Sequence, residues 1–87
     1  MRRELRWSPR AERDLEQIQR HSPQMARRIF GAMTGYADTG HGDVVKLTAA
    51  DGAYRLRVGD WRVIFTYEDR GFVVLALRVM NRRDAYR

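Results

Sequence analysis

The stretch Tyr54-Arg55-Leu56-Arg57-Val58-Gly59-Asp60-Trp61-Arg62-Val63-Ile64-Phe65 decides how this chain of 87 residues folds. Apolar and basic side chains alternate on both sides of Gly59-Asp60, a two-residue loop with glycine first that joins antiparallel strands. Such a loop pairs Val58 with Trp61, Arg57 with Arg62, Leu56 with Val63 and Arg55 with Ile64. Successive strand side chains point to opposite faces. Tyr54, Leu56, Val58, Trp61, Val63 and Phe65 therefore share one face, which needs an apolar cover. Arg55, Arg57 and Arg62 share the other. Setting Arg57 across from Arg62 costs a few tenths to about 1 kcal/mol. Asp60 and Glu68 are the local acids, and neither falls in register to neutralise the pair. A polyanionic ligand on this face is therefore expected.

The cover lies upstream. Glu4 to Trp7 reads as a short first strand. Ser8-Pro9 and Ser22-Pro23 each place a capping hydroxyl before a proline at the first helical position. Ala11, Leu15 and Ile18 make one apolar stripe; Met25 (or Ala26), Ile29, Met33 and Tyr36 make a second, with a stop near Thr39-Gly40. Gly31 and Gly35 inside the second helix suggest close packing against a neighbour. Beyond Gly42, Val44 to Leu47 is a short extended piece and Asp51-Gly52 a turn. Asp69-Arg70-Gly71 sits in a later turn. Phe72 to Val79 is apolar almost throughout, as in a strand buried on both faces, and a basic tail follows. These elements predict one α+β domain over residues 1–87. It consists of an antiparallel sheet of about four strands with an N-terminal helical hairpin packed on one face.

The formal net charge is +6, and Lys46 is the only lysine among 17 basic residues. Guanidinium forks match phosphate oxygens two at a time, so the excess points to a phosphate-rich partner such as nucleic acid. The absence of cysteine excludes disulfides and thiolate metal sites. No apolar run is long enough to span a bilayer, and no apolar stretch follows the charged Met1 to Arg6 segment. A cytoplasmic location without membrane contact is expected.

Cutting RNA without a metal requires a base for the 2′-OH proton, positive charge around the crowded phosphorus, and an acid for the leaving oxygen. Arg55, Arg57, Arg62 and Arg82 can supply charge, but a guanidinium does not act as a base. Tyr86 is the best-placed proton-transfer group, since Arg82, Arg83 and Arg87 would lower its phenol from the ordinary value near 10. His21 and His41 read as loop residues, and Ser8 and Ser22 as caps. Trp61 falls on the core face and Lys46 beside Leu47, so both read first as packing residues. No metal-ligand spacing and no phosphate-cradling glycine loop is present, so neither metal nor cofactor is expected.

The series from Lys46-Leu47 through Tyr54–Phe65 to Arg82-Arg83-Asp84-Ala85-Tyr86-Arg87 resembles the RelE branch of the RelE/ParE toxin superfamily. The order of strand, helical hairpin, antiparallel strands and basic tail is similar over nearly the whole chain. The resemblance implies a toxin of a type II toxin–antitoxin pair, an endoribonuclease that cuts ribosome-bound messenger RNA without a metal. It further implies a cognate antitoxin wrapped around the toxin, as a heterodimer or heterotetramer. By motif, Arg62, Arg82 and Tyr86 correspond to catalytic positions, and Arg55, Arg57, Arg83 and Arg87 to RNA-binding ones. Lysines stand at the positions of Arg55 and Arg57 in well-studied relatives, and many relatives carry histidine where this chain has Asn81. Both departures remove proton-transfer groups and lead us to expect slow or ribosome-dependent cleavage. The competing readings are a ParE-like toxin that poisons DNA gyrase without nuclease activity, and an inactive relative that only binds RNA.

Overall fold

The computed structural model describes residues 2–48 and 52–83. Strand β1 (Glu4–Trp7) leads into helices α1 (Pro9–His21) and α2 (Pro23–Thr39). Strands β2 (Val44–Thr48), β3 (Ala53–Val58) and β4 (Trp61–Glu68) follow, then a single 3-10 turn (Asp69–Gly71) and strand β5 (Val73–Asn81). The sheet has five strands in the order β1-β5-β4-β3-β2. Only β1 runs parallel to its neighbour, β5; the other pairings are antiparallel. The extra strand relative to the expected four is the Val44 piece, which pairs with β3 from Val44↔Leu56 to Thr48↔Ala53.

The β3–β4 hairpin has the register that its loop dictates: Val58↔Trp61, Arg57↔Arg62, Leu56↔Val63 and Arg55↔Ile64. Gly59 takes φ +60°, which an L side chain adopts only under strain. Leu56, Val58, Val63 and Phe65 are buried beneath the helices with Ala11, Ile18, Ala26, Ile29 and Met33. Phe65 is fully buried and touches Tyr36 and Tyr54, with ring centroids 5.3 and 5.6 Å away. Truncating it to alanine would cost about 3–5 kcal/mol.

Both helix starts are as the sequence suggests. Ser8 Oγ accepts from the Ala11 amide at 3.0 Å, and Ser22 Oγ accepts from the Met25 amide at 3.3 Å. Gly40 ends α2 at φ +77°, donating to the Tyr36 carbonyl at 2.7 Å. The reading of Gly31 and Gly35 as packing sites is corrected: a β-carbon on either would meet open space. Close approach occurs instead at Gly42, where a β-carbon would lie 2.8 Å from Leu56 Cδ1.

Strand β5 also departs from expectation. Phe72 lies outside it and is 51% exposed, while Leu75 and Leu77 are only half-buried. Register steps from Ile64↔Arg78 to Phe65↔Ala76, leaving Leu77 as the extra residue of a bulge. Ser8 meets this stretch from the β1 side: its hydroxyl donates to Leu77 O at 2.9 Å, and its amide donates to Ala76 O at 2.8 Å. One serine thus caps α1 and seats its start on the bulge.

Candidate nucleic-acid interface

The sheet face opposite the helices is built by alternation. Arg55 and Arg57 occupy it on β3 and Arg62 occupies it on β4, with Arg57 and Arg62 directly paired. Val45 stands next to Arg55 on the edge strand β2. The three arginines differ in setting. Arg57 is open to solvent, with its side chain 58% exposed. Arg55 is half-buried, and its Nε is shielded from water without a hydrogen-bond partner among the described residues. An orphaned buried donor of this kind costs about 1–3 kcal/mol, more when charged, until an acceptor reaches it.

Arg62 departs furthest from the expected solvent-facing role. It is only 6% exposed and is engaged in an interaction of its own. Alternation assigns a side chain to a face and is silent on what lies over that face. Arg62 therefore stands as a fixed charge beneath the surface.

A second correction concerns neutralisation of the arginine pair. Asp43, just before β2, accepts from Arg57 Nε at 3.2 Å, and its carbonyl accepts from the Arg57 amide at 2.9 Å. The pairing of β2 with β3 brings Asp43 there, a long-range consequence that local register around the hairpin does not contain.

At the end of β5, Asn81 lies opposite Trp61 and Met80 opposite Arg62. The Arg82 amide donates to Asp60 O at 2.7 Å, tying the tail to the hairpin loop. Arg82 and Arg83 are both exposed, and the Arg83 amide donates to Asn81 Oδ1 at 3.2 Å. Tyr86 and Arg87 lie outside the described residues. Arg28 of α2 lays its guanidinium against the same loop, 3.5 Å from where a β-carbon on Gly59 would sit. It extends the basic surface around the hairpin tip, and only the packing of α2 beside that tip brings it there.

His21 ends α1 and His41 follows α2, both exposed. Lys46 is exposed opposite Tyr54, on the helix side of the sheet. Tyr67 bonds Tyr36 hydroxyl to hydroxyl under the Arg3 guanidinium, which lies 5.2 Å from its ring centroid. Burial, with the Tyr36 hydrogen bond adding to it, pushes the Tyr67 phenol up to about 12 from its ordinary 10. Among the described residues, no group of three histidine or acidic side chains converges as a metal site. No helix among them is long and apolar enough to cross a membrane.

Comparison with known proteins places this architecture. The chain is similar to the toxin–antitoxin complex RelBE2 of Mycobacterium tuberculosis, with TM-score 0.73 and 21% identity over 94% of this chain and 100% of that one. It is similar to the YoeB/ParE toxin of Agrobacterium tumefaciens, with TM-score 0.75 and 18% identity over 90% of this chain and 96% of that one. It is also similar to a chain of the heterotetrameric YoeB–YefM toxin–antitoxin complex of Staphylococcus aureus, with TM-score 0.69 and 21% identity over 90% and 94% of the two chains. At these identities the likeness establishes the fold. No curated protein sequence matches the chain. Residues 5–86 match the sequence family described as the ParE toxin of type II toxin–antitoxin systems, parDE. That match covers nearly the whole chain and takes in the motifs that resemble RelE except for Arg87. The chain belongs to the ParE toxin family of type II toxin–antitoxin systems, within the RelE/ParE superfamily.

Proposed function

We propose that the chain is a ribosome-dependent endoribonuclease that cuts messenger RNA by attack of a 2′-OH on the adjacent phosphate. The observation that carries this reading is the cluster of Arg55, Arg57 and Arg62 on the sheet face away from the helices, with Arg55 Nε buried and unpartnered among the described residues. Guanidinium groups pair with phosphate oxygens two at a time, so a strand crossing this face meets matched donors. In the proposed step a base takes the 2′-OH proton and the 2′-oxygen bonds to phosphorus. The P–O5′ bond then breaks, and an acid protonates O5′. A cyclic phosphate and a free 5′-hydroxyl result.

Arg62 and Arg82 supply the stabilising charge, Arg62 from a fixed position and Arg82 from the exposed start of the tail. Tyr86 carries proton transfer, with the ribosome completing the set. Arg55, Arg57, Arg83 and Arg87 hold the strand. Induction of the chain in a bacterial host with a translated and an untranslated copy of one reporter message tests this. Cuts confined to the translated copy are expected; equal cutting of both would defeat ribosome dependence.

A second reading, gyrase poisoning without RNA cleavage, is favoured by the ParE family match together with the Arg57–Asp43 pair, which neutralises part of the basic face. Double-strand DNA breaks with intact message would select it. In either reading the partner is a cognate antitoxin. Exposed Phe30 and Phe72, and Val45 and Leu47 on the unpaired edge of β2, offer apolar surface and backbone groups for a wrapping segment. The Staphylococcus aureus relative is a heterotetramer, and we propose a heterodimer or heterotetramer here.

A further inference from the structure

A cavity of about 420 Å³ opens between α1, the start of α2, the start of β4 and the end of β5. Arg55, Arg57 and Arg62 do not line it. Its floor is apolar, formed by Ile18 and Met25, and half-buried Trp61 makes one wall. Gln17, His21 and Asn81 bring polar groups to the rim. Arg10 and Arg78 also line it, flanking Asp14, the one acid in the lining among the described residues. Each guanidinium directs its Nε to Asp14, at 3.7 and 2.9 Å, and a guanidinium carries further N–H donors of the kind that meet an anion. The first turn of α2, which borders the cavity, carries no acidic residue.

We propose that this cavity is a nucleotide subsite: it takes one base of a single-stranded RNA against Trp61, with the attached phosphate toward Arg10 and Arg78. The proposal rests on the RNA-cleavage reading and extends the strand's path. Asn81 lines the cavity and is followed directly by Arg82 and Arg83, so the exposed tail arginines lead from the sheet face to this opening. The volume lies in the range of roughly 300–1,000 Å³ typical of small-ligand sites. The mixture of groups suits a base. Aromatic surface stacks on any base face, and side-chain amides such as those of Gln17 and Asn81 pair with base edges. An apolar peptide anchor would use the floor and leave the amides unmatched.

The test uses the full-length chain with Trp7→Phe, so that Trp61 is the remaining tryptophan, titrated with adenosine 5′-monophosphate, adenosine and inorganic phosphate. Saturable quenching by the nucleotide is expected, weaker with adenosine and absent with phosphate. Gln17→Ala and Asn81→Ala should each weaken nucleotide binding about tenfold, and Arg10→Ala should weaken the nucleotide while sparing adenosine. Circular dichroism on each variant separates lost binding from lost fold. No quenching by the nucleotide, or quenching that survives all three substitutions, overturns the proposal. So does an acidic peptide with an apolar anchor that binds where the nucleotide does not, which would assign the cavity to a protein partner. Binding is read without cleavage. A chain that binds the nucleotide but leaves message intact therefore refutes the nuclease and keeps the subsite; the reverse result refutes the subsite alone.

Discussion

Asp43 holds Arg57 twice, through its carboxylate at 3.2 Å and through its carbonyl, which takes the Arg57 amide at 2.9 Å. This pair covers part of the charge that a polyanion would otherwise neutralise. Both side chains are more than half exposed, so Asp43→Asn should change stability by no more than about 1 kcal/mol. The same substitution should strengthen binding to single-stranded RNA and steepen its salt dependence by up to about one unit of slope. Binding isotherms across a salt series check this. Unchanged affinity and slope would show that Arg57 does not meet phosphate.

Asp14 ties α1 to the bulge of β5. Its Oδ2 accepts from Arg78 Nε and from the Val79 amide, each at 2.9 Å, and the side chain is 13% exposed. Asp14→Ala leaves a backbone donor and a guanidinium without their acceptor, and should cost about 2–3 kcal/mol in chemical denaturation. Glu12→Ala, two residues earlier on the exposed side of the same helix, should stay within about 0.5 kcal/mol. Similar losses for the two would deny Asp14 its clamping role.

The glycines separate into two classes. Gly31→Ala and Gly35→Ala fill open space in a helix interior and should each stabilise by up to about 1 kcal/mol. Gly42→Ala drives a methyl against buried Leu56 and should destabilise by about 1–3 kcal/mol. Thermal melts of the three variants decide whether the helix glycines serve packing after all.

Tyr67 gives stability a defined response to alkali. Its folded pKa is pushed up to about 12, against an ordinary value of 10.0, by burial and by the Tyr36 hydroxyl. Between those values the unfolded chain releases this proton and the folded chain keeps it. The contribution is therefore complete below pH 10 and declines as pH rises toward 12. Tyr67→Phe should flatten that part of the profile in denaturant titrations. An unchanged slope would place the alkaline sensitivity in other groups.

How far the fold could be read in advance depends on the range of the interaction. The Gly59-Asp60 loop fixes its own strand register, and Ser-Pro starts cap helices from three residues away, so both were legible. Asp43 beside Arg57 and Asp14 on Arg78 are products of packing between distant segments, and each acid looks like ordinary surface in the sequence. Arg62 illustrates the same limit: alternation gave its face and missed its burial. Phe72 reads as strand because apolar composition alone does not mark where the 3-10 turn ends. Of the candidate site, the arginines on β3 and β4 share the expected face, Arg82 lies beside the hairpin loop, and Tyr86 and Arg87 lie outside the described residues.

The most direct measurement is to map message ends after induction, comparing wild-type chain with Arg55→Ala and Arg82→Ala. Cuts within translated codons should appear, with upstream fragments ending in cyclic phosphate; they should fall by about 100-fold or more with Arg82→Ala, which removes charge at the phosphate, and by less with Arg55→Ala, which loosens the strand. Growth arrest with intact message, accompanied by DNA breaks that persist in both variants, would contradict an RNA-cleaving role for the arginine face.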